Sequence, residues 1–207
     1  MLRIVRPQQR IHRIPTRGIE TREALASVSA NWWDVAGKTC VAAYQPKGAA
    51  SYAASKINLA NPGTYNAYEG AAPSWNSATG WTFSWNEYLA NGLSVSNGYT
   101  LLVRADFSMN NYYMNGPDSF RVSATSSGVK AVASNYIEVT CSRPILFGIG
   151  GNNLYADGAV VSSGLNGTGI SGQFTMGHYN NLQAVAIYSD TLSAAEVATV
   201  SAAMAAL

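Results

Sequence analysis

Charged residues are scarce in this sequence. Lys, Arg, Asp and Glu account for 12% of the 207 residues, about half of the roughly 25% found in an average soluble domain. Charge is also depleted at the centres of protein interfaces. The shortage therefore predicts a β-rich surface module covered by hydroxyls and amides, or a subunit that buries much of its exterior against neighbours.

Cysteine and histidine are nearly missing as well, since the chain contains only Cys40, Cys141, His12 and His178. Two cysteines are too few for a disulfide framework or a zinc site built on thiolates. Two reduced, largely buried thiols are the favoured interpretation, and a single bridge between them is the alternative. A Ser-His-Asp triad or a histidine-based metal site would depend on His178, because His12 lies in the N-terminal segment. These absences favour a protein that is not an enzyme.

Long apolar segments are missing too. No run of ~20 apolar residues is present, so we expect no membrane span. The first residues, MLRIVRPQQR, are interrupted by arginine and proline before an apolar run of about 7 to 15 residues could form a secretory signal. We therefore expect no export signal of this kind.

The positive charge is concentrated at the N-terminus. Residues 1–22 contain six arginines and one glutamate, a net +5, whereas the whole chain carries +2. Pro7 and Pro15 disfavour a continuous helix, so an extended basic arm is predicted. Branched apolar residues between the arginines favour an arm that binds neighbouring subunits over a disordered tail. The predicted contact residues are Arg3, Arg6, Arg10, Arg13 and Arg17.

The rest of the chain is a series of short apolar runs separated by Gly, Asn, Pro and Ser, which is typical of an all-β sandwich. The nine clearest runs are CVAAYQ, WTFSW, YTLLVRADF, SFRVSAT, YIEVTC, PILFGIG, NLYADGAVV, GQFTMGHY and LQAVAIY. Asp157 and Gly158 predict a two-residue hairpin turn with positive φ. We therefore divide the chain into a basic arm with a short helix over residues 1–30 and a sandwich over residues 31–207.

The end of the chain departs from the strand pattern. Ser193 and Glu196 have the spacing of a capping box, and apolar residues follow at helical intervals from Val197 to Leu207. This pattern predicts a short amphipathic helix at the C-terminus.

Three separated segments carry a family resemblance. They are GWTFSWNEYLANGL (80–93), NLYADGAVV (153–161) and MGHYNNLQAVAIYSDTLSAAEVATV (176–200). In order and spacing they resemble the laminin-G-like branch of the concanavalin A-like lectin and glucanase superfamily, over about residues 40–207 together. The resemblance implies a concanavalin A-like jelly-roll β-sandwich with the N-terminal arm and the C-terminal helix outside it.

The stretch from CVAAYQPKGAASYAASKINLANPG to APSWNSATGW also resembles a subgroup found in bacteriophage proteins. This resemblance implies a non-catalytic virion component, either a capsid decoration or a tail-associated subunit, that docks on neighbouring subunits through its arm. A virion localisation and a homo-oligomer go with it. The alternative is a glycan-binding, lectin-like module of a cell-surface or secreted protein, with an extracellular location. A glycoside hydrolase is a remote third hypothesis, and nucleic acid is not an expected partner because the arginines lack interleaved aromatics.

The superfamily includes glycoside hydrolases, but the carboxylates here do not match them. A retaining glycosidase needs two carboxyl groups about 5 to 5.5 Å apart, and no Glu-x-Asp-x-x-Glu pattern occurs. Glu138 is the only carboxylate within a strong strand, and we expect it to face solvent. Some relatives hold calcium, and Asp106 and Asp118 are weak candidates for it in the loop after YTLLVRADF. No other cofactor is expected.

Aromatic residues are abundant, with 12 Tyr, five Trp and five Phe. Trp81 and Phe83 are predicted to lie in the core. Tyr112 and Tyr113, flanked by Asn and followed by Gly116, predict a loop tip that contacts a glycan or a protein. A second candidate contact is formed by His178 and Tyr179, for which a loop or edge position without a ligand is the favoured alternative.

Overall fold

The protein is represented by a computed structural model in which residues 31–96, 98–107, 121–125, 128–132, 136–139, 145–164, 172–177 and 180–207 are described. The predicted basic arm and short helix, residues 1–30, lie outside the described residues. In chain order, the elements are β1 (Cys40–Tyr44), α1 (Tyr52–Ser55), β2 (Tyr68–Ala71), β3 (Ser74–Asn76), β4 (Gly80–Thr82), β5 (Tyr88–Val95), β6 (Thr100–Phe107), β7 (Arg121–Thr125), β8 (Gly128–Val132), β9 (Tyr136–Val139), β10 (Ile145–Gly150), β11 (Asn153–Ala156), β12 (Ala159–Ser163), β13 (Gly172–Gly177), β14 (Asn180–Tyr188) and α2 (Ala194–Ala205).

The described strands form antiparallel sheets. The largest has eight strands in the order β12-β11-β10-β6-β14-β4-β3, with β1 also paired to β14. A second sheet has the order β13-β5-β2, and a third has the order β7-β8-β9. The predicted all-β jelly-roll sandwich with a short C-terminal helix is therefore confirmed.

The main core lies between the eight-stranded sheet and the β13-β5-β2 sheet. Val103 of β6 and Val185 and Ile187 of β14 pack in one buried cluster with Leu89 of β5 and Met176 of β13. The predicted core residues Trp81 and Phe83 are buried in the same cluster, which confirms that prediction. Period-two alternation explains the arrangement, since every second residue of a strand points to the same face.

The second face of the eight-stranded sheet is also covered. Ala186 and Tyr188 of β14 pack with Val197, Val200 and Met204 of α2 in a second buried cluster. Both faces of β14 are therefore buried, because α2 and residues 32–40 cover the side opposite Val185 and Ile187.

Local signals act as predicted at two places. Asp157 and Gly158 join β11 to β12 with φ values of 48° and 80°, as a two-residue hairpin turn requires. Ser193 caps α2 in a capping box with Glu196. None of the helices in the described part of the chain combines the length and the apolar composition that a membrane crossing requires.

Candidate functional site

The β13-β5-β2 sheet turns one face to the core and the other to solvent. Along β5, Leu89, Leu93 and Val95 are buried, whereas Tyr88 is exposed on the opposite face. Tyr68 of β2 lies directly opposite Ala90 of β5, on that same outer face. The outer face therefore carries two tyrosines on neighbouring strands.

Tyr88 lies across the edge strand β2. An ideal Cβ added to Gly70 would be 1.9 Å from Cζ of Tyr88, so the ring fills the space where a side chain at position 70 would lie. One side of the ring is packed in this way, and the side chain remains 38% exposed. Tyr88 therefore presents a supported aromatic surface to solvent.

Tyr68 reaches in the opposite direction across the sheet. Its hydroxyl accepts a hydrogen bond of 3.2 Å from Nε2 of Gln173 on β13, two strands away in the order β2-β5-β13. To make this bond the side chain has to cross β5 above Ala90, which is 4% exposed although it points outward. Tyr68 itself is 50% exposed, so about half of its side-chain surface remains open to solvent.

A third exposed aromatic residue lies three positions before Tyr88 in the chain. Trp85 is 54% exposed and lies in the turn that leads into β5. Within this turn, the amide of Ser84 donates to Oε2 of Glu87 at 2.6 Å, and the amide of Glu87 donates to the carbonyl of Ser84 at 3.3 Å. We call Tyr68, Trp85, Tyr88 and Gln173 together the aromatic face.

The charges next to the aromatic face are mainly acidic. Nζ of Lys56 lies 2.5 Å from Oε1 of Glu69 on β2 and 4.4 Å from the ring centroid of Tyr52. Lys56 lowers the pKa of the Glu69 carboxyl below its usual range. Lys56 is therefore neutralised by Glu69, and Glu87 adds another carboxylate.

A second surface feature lies on the other side of the molecule, between residues 31–40 and α2. It is a groove of about 920 Å³, and we call it the tryptophan groove. Trp32 and Trp33 meet edge to face there, with ring centroids 5.3 Å apart. The remaining lining comes from Asn31, Asp34, Val35, Ala36, Lys38, Thr39, Cys40, Ala60, Glu196, Thr199, Val200 and Ala203.

Cys40 of the tryptophan groove carries a free thiol. Burial raises the pKa of this thiol to about 12, so it stays protonated at neutral pH. Cys141 lies outside the described residues, and so does the alternative of a bridge between the two cysteines.

The predicted site residues are placed as follows. The loop tyrosines Tyr112 and Tyr113, the pair His178 and Tyr179, and Asp118 lie outside the described residues, as do the arginines of the arm. The predicted position of Asp106 in a loop is wrong, because this residue lies inside β6 opposite Asn181. Among the described residues, no three His, Cys, Asp or Glu side chains are grouped so that they could hold a metal ion.

The aromatic face was not predicted as a unit from the sequence. Trp85 and Tyr88 belong to the segment GWTFSWNEYLANGL of the family resemblance, which implied no role for them, and Tyr68 and Gln173 carry no local motif. Tyr68 and Gln173 are 105 positions apart. Only the pairing of β2 and β13 with β5 brings them together.

Comparison with known proteins supports the fold. No family model matches the chain, and no curated protein matches it. The sialidase of Trypanosoma rangeli in complex with sialic acid is 11% identical, with a TM-score of 0.54 over 79% of this chain and 32% of that chain. The ligand-binding domain of botulinum neurotoxin serotype D in complex with N-acetylneuraminic acid is 12% identical, with a TM-score of 0.53 over 79% of this chain and 50% of that chain.

Domain 4 of AbnA, an extracellular arabinanase from Geobacillus stearothermophilus, in complex with arabinotriose, is 13% identical. Its TM-score is 0.49, over 79% of this chain and 98% of that domain. The present chain thus spans about a third of the sialidase and half of the neurotoxin domain. At these identities the sialidase and neurotoxin matches establish a β-sandwich fold, and they do not show the phage resemblance.

Proposed function

We propose that the protein is a non-catalytic glycan-binding module and that the glycan rests on the aromatic face. The observation that carries this proposal is the pair of exposed tyrosines, Tyr68 and Tyr88, on the outer face of one sheet, where the Tyr88 ring packs against Gly70 and the Tyr68 hydroxyl bonds to Gln173. Trp85, in the turn before β5, adds a third exposed aromatic side chain.

The aromatic face has the chemistry that sugar recognition needs. The apolar C–H faces of a pyranose can stack on aromatic rings, which provide large contact areas. A few placed polar groups then set orientation and specificity. Gln173 and Ser94 lie on the same outer face of adjacent strands, and their amide and hydroxyl groups can hydrogen-bond to sugar hydroxyls.

The structural neighbours support a glycan as the class of ligand. The sialidase and the neurotoxin domain were both solved with sialic acid. Because their sequence identities are only 11% and 12%, they support the class of ligand alone. Which sugar binds has to be inferred from the chemistry of the aromatic face.

The absence of catalysis is part of the proposal, and the state of the two carboxylates near the aromatic face supports it. A glycosidase acid needs a raised pKa. Glu69 has the opposite, because Lys56 lowers its pKa, and Oε2 of Glu87 is engaged by the Ser84 amide. We therefore expect no hydrolysis of bound glycans.

The virion hypothesis remains a prediction from the sequence. Its basis, the phage resemblance and the arginine arm, involves no contact among the described residues. The same is true of the predicted virion location and homo-oligomer. Of the two functions predicted from the sequence, we therefore put the glycan-binding alternative first.

A glycan array followed by calorimetric titration of the best ligand tests the proposal. Tyr68→Ala, Trp85→Ala and Tyr88→Ala should each weaken binding about 10-fold, or about 1.4 kcal/mol, because each removes part of the stacking surface. Val160→Ala is the control, since Val160 is an equally exposed apolar residue, 43%, on β12 of the other sheet.

Two results would contradict the proposal. The array could bind nothing, or a bound glycan could keep its affinity in all three aromatic variants. In the second case Tyr112→Ala and Tyr113→Ala would show whether the loop predicted from the sequence binds the glycan instead.

A further inference from the structure

The tryptophan groove has the composition of a binding site for a peptide that is both basic and apolar. Its walls include Trp32, Trp33 and Val35 from one side and Val200 and Ala203 from α2. Such surfaces accept branched aliphatic side chains, because burying a Val or Ile side chain there removes its apolar surface from water.

Three carboxylates lie in or beside the tryptophan groove, against the single ammonium of Lys38. Oδ2 of Asp34 accepts from Nδ2 of Asn31 at 3.0 Å, and Oε2 of Glu196 accepts from the Ser193 amide at 2.7 Å. Oδ2 of Asp190 accepts from the Thr39 amide at 2.8 Å.

Within the described part of the chain, these bonds leave the second oxygen of each carboxylate available to a cation. Lys38 is already engaged, since its Nζ donates to the carbonyl of Thr191 at 3.2 Å and lies 4.0 Å from Oε2 of Glu196. The surroundings of the groove are therefore acidic. Guanidinium groups suit carboxylates in such a place, because they form charge-assisted and often bidentate hydrogen bonds.

We propose that residues 1–22, the arginine arm of this chain, bind in the tryptophan groove of the same molecule. The arm combines a net charge of +5 with Ile4, Val5, Ile11, Ile14 and Ile19, which matches acidic and apolar walls. The arm is also close to the groove along the chain, because Asn31, nine residues after its end, lines the groove.

The tether favours binding within one molecule. The nine residues from 22 to 31 can span up to about 30 Å. Because Asn31 itself lines the groove, a tether of this length lets the arm reach it. A short tether also gives an effective concentration in the millimolar range. The chain's own arm therefore outcompetes the arm of a second copy at ordinary protein concentrations, in contrast to the docking on neighbours that the sequence suggested.

The test compares the full chain with a full-length variant in which Arg3, Arg6, Arg10, Arg13 and Arg17 are changed to Gln. The readout is the set of five indole N–H resonances in nitrogen-15 NMR spectra, assigned by single Trp→Phe variants. We expect the Trp32 and Trp33 signals to shift in the variant, and the signals of Trp81 and Trp85 to stay in place.

Two further comparisons make the test more specific. Asp34→Asn should produce the same shifts as the arm variant, and Glu69→Gln, which removes a carboxylate from the β13-β5-β2 sheet, should not. A synthetic peptide of residues 1–22 added to the arm variant should restore the original Trp33 signal, and a peptide with all arginines replaced by glutamine should not.

Two outcomes overturn the proposal. The first is unchanged Trp32 and Trp33 signals in the arm variant while the Trp81 signal shows a folded protein. The second is signals that shift with protein concentration, because the arm of a second copy would then be the occupant.

Discussion

Gly70 is the residue that lets Tyr88 lie flat on the outer face of its sheet. Any Cβ at this position would overlap the Tyr88 ring, with Cζ only 1.9 Å away. The ring is the mobile end of a surface side chain, so it can move aside without disturbing the core. Gly70 is therefore expected to matter for binding more than for folding.

We predict that Gly70→Ala changes the free energy of unfolding by less than about 1 kcal/mol, as surface substitutions usually do, while glycan affinity falls about as far as in Tyr88→Ala. Thermal denaturation and calorimetric titration measure the two quantities. Gly98→Ala is the matched control, since an added Cβ there meets no atom within 4 Å. Full affinity in Gly70→Ala would show that Tyr88 does not have to lie in this position.

The aromatic residues of one segment illustrate what can be predicted for single residues. Trp81 and Phe83 are two positions apart and both are buried, as alternation along a strand predicts. Phe83 is still buried one residue beyond the end of β4 at Thr82. Trp85 continues the same spacing but is 54% exposed, because it lies in the turn closed by the bonds between Ser84 and Glu87.

At the scale of elements, α2 covers one face of the eight-stranded sheet, and side chains form hydrogen bonds at both of its ends. Ser193 accepts from the Glu196 amide, and Glu196 accepts from the Ser193 amide. Near the other end, Nη1 of the buried Arg104 on β6 donates to the carbonyl of Met204 at 2.5 Å. Both ends of the helix are thus satisfied by side chains, which positions the wall of the tryptophan groove.

Ser193→Ala should lower the free energy of unfolding by about 1 kcal/mol, because an N-cap hydrogen bond is lost. Ser193→Asp should retain most of the stability, since Asp is an equally good N-cap. Denaturant unfolding measures both variants, with the exposed Ser189→Ala as the control. An unchanged stability in Ser193→Ala would mean that packing against the sheet holds the helix without the cap.

Strand β5 was not among the runs identified from the sequence. Its centre, Asn91 and Gly92, has the composition of a turn, and Gly92 has a φ of 72°. In the structure, Asn91 is buried and its side chain donates to the hydroxyl of Tyr44 at 3.0 Å. A polar residue inside a core strand needs such a partner, and this partner lies 47 residues away, where local patterns carry no information.

At the scale of the whole molecule, the described basic side chains are engaged away from the aromatic face. Lys38, Lys47 and Arg104 each donate to a backbone carbonyl, of Thr191, Leu207 and Met204 respectively. Lys56, the one nearest the aromatic face, is paired with Glu69. Among the side chains that the structure describes, a carboxylate on a ligand would therefore meet Glu69 and Glu87 near the aromatic face, and the nearest cation, Lys56, is paired.

The aromatic face should for this reason prefer uncharged glycans over sialylated ones of the same core structure. Paired array ligands measure the ratio, and 1 M salt should reduce it by screening the repulsion. Glu69→Gln, which leaves Lys56 unpaired, should improve sialylated binding and leave neutral binding unchanged. Tighter binding of the sialylated ligand of a pair by the unmodified protein would contradict this prediction. The proposal of glycan binding would still stand in that case.

Much of the fold was determined by the sequence itself, because its signals are local. Alternation of apolar residues, the turn at Asp157 and Gly158 and the capping box of Ser193 and Glu196 each act within a few residues. Strands, hairpin and helix could therefore be predicted, and the family resemblance gave the correct sandwich.

Only the tertiary structure decided where the exposed aromatics and the acidic groove lie. Tyr68, Tyr88 and Gln173 form one surface because three strands far apart in the chain are neighbours in a sheet. Asp34 and Glu196 share one groove because α2 returns to the segment that opens the sandwich. Strand order and helix docking depend on burial summed over the whole chain, so no local pattern could reveal either surface.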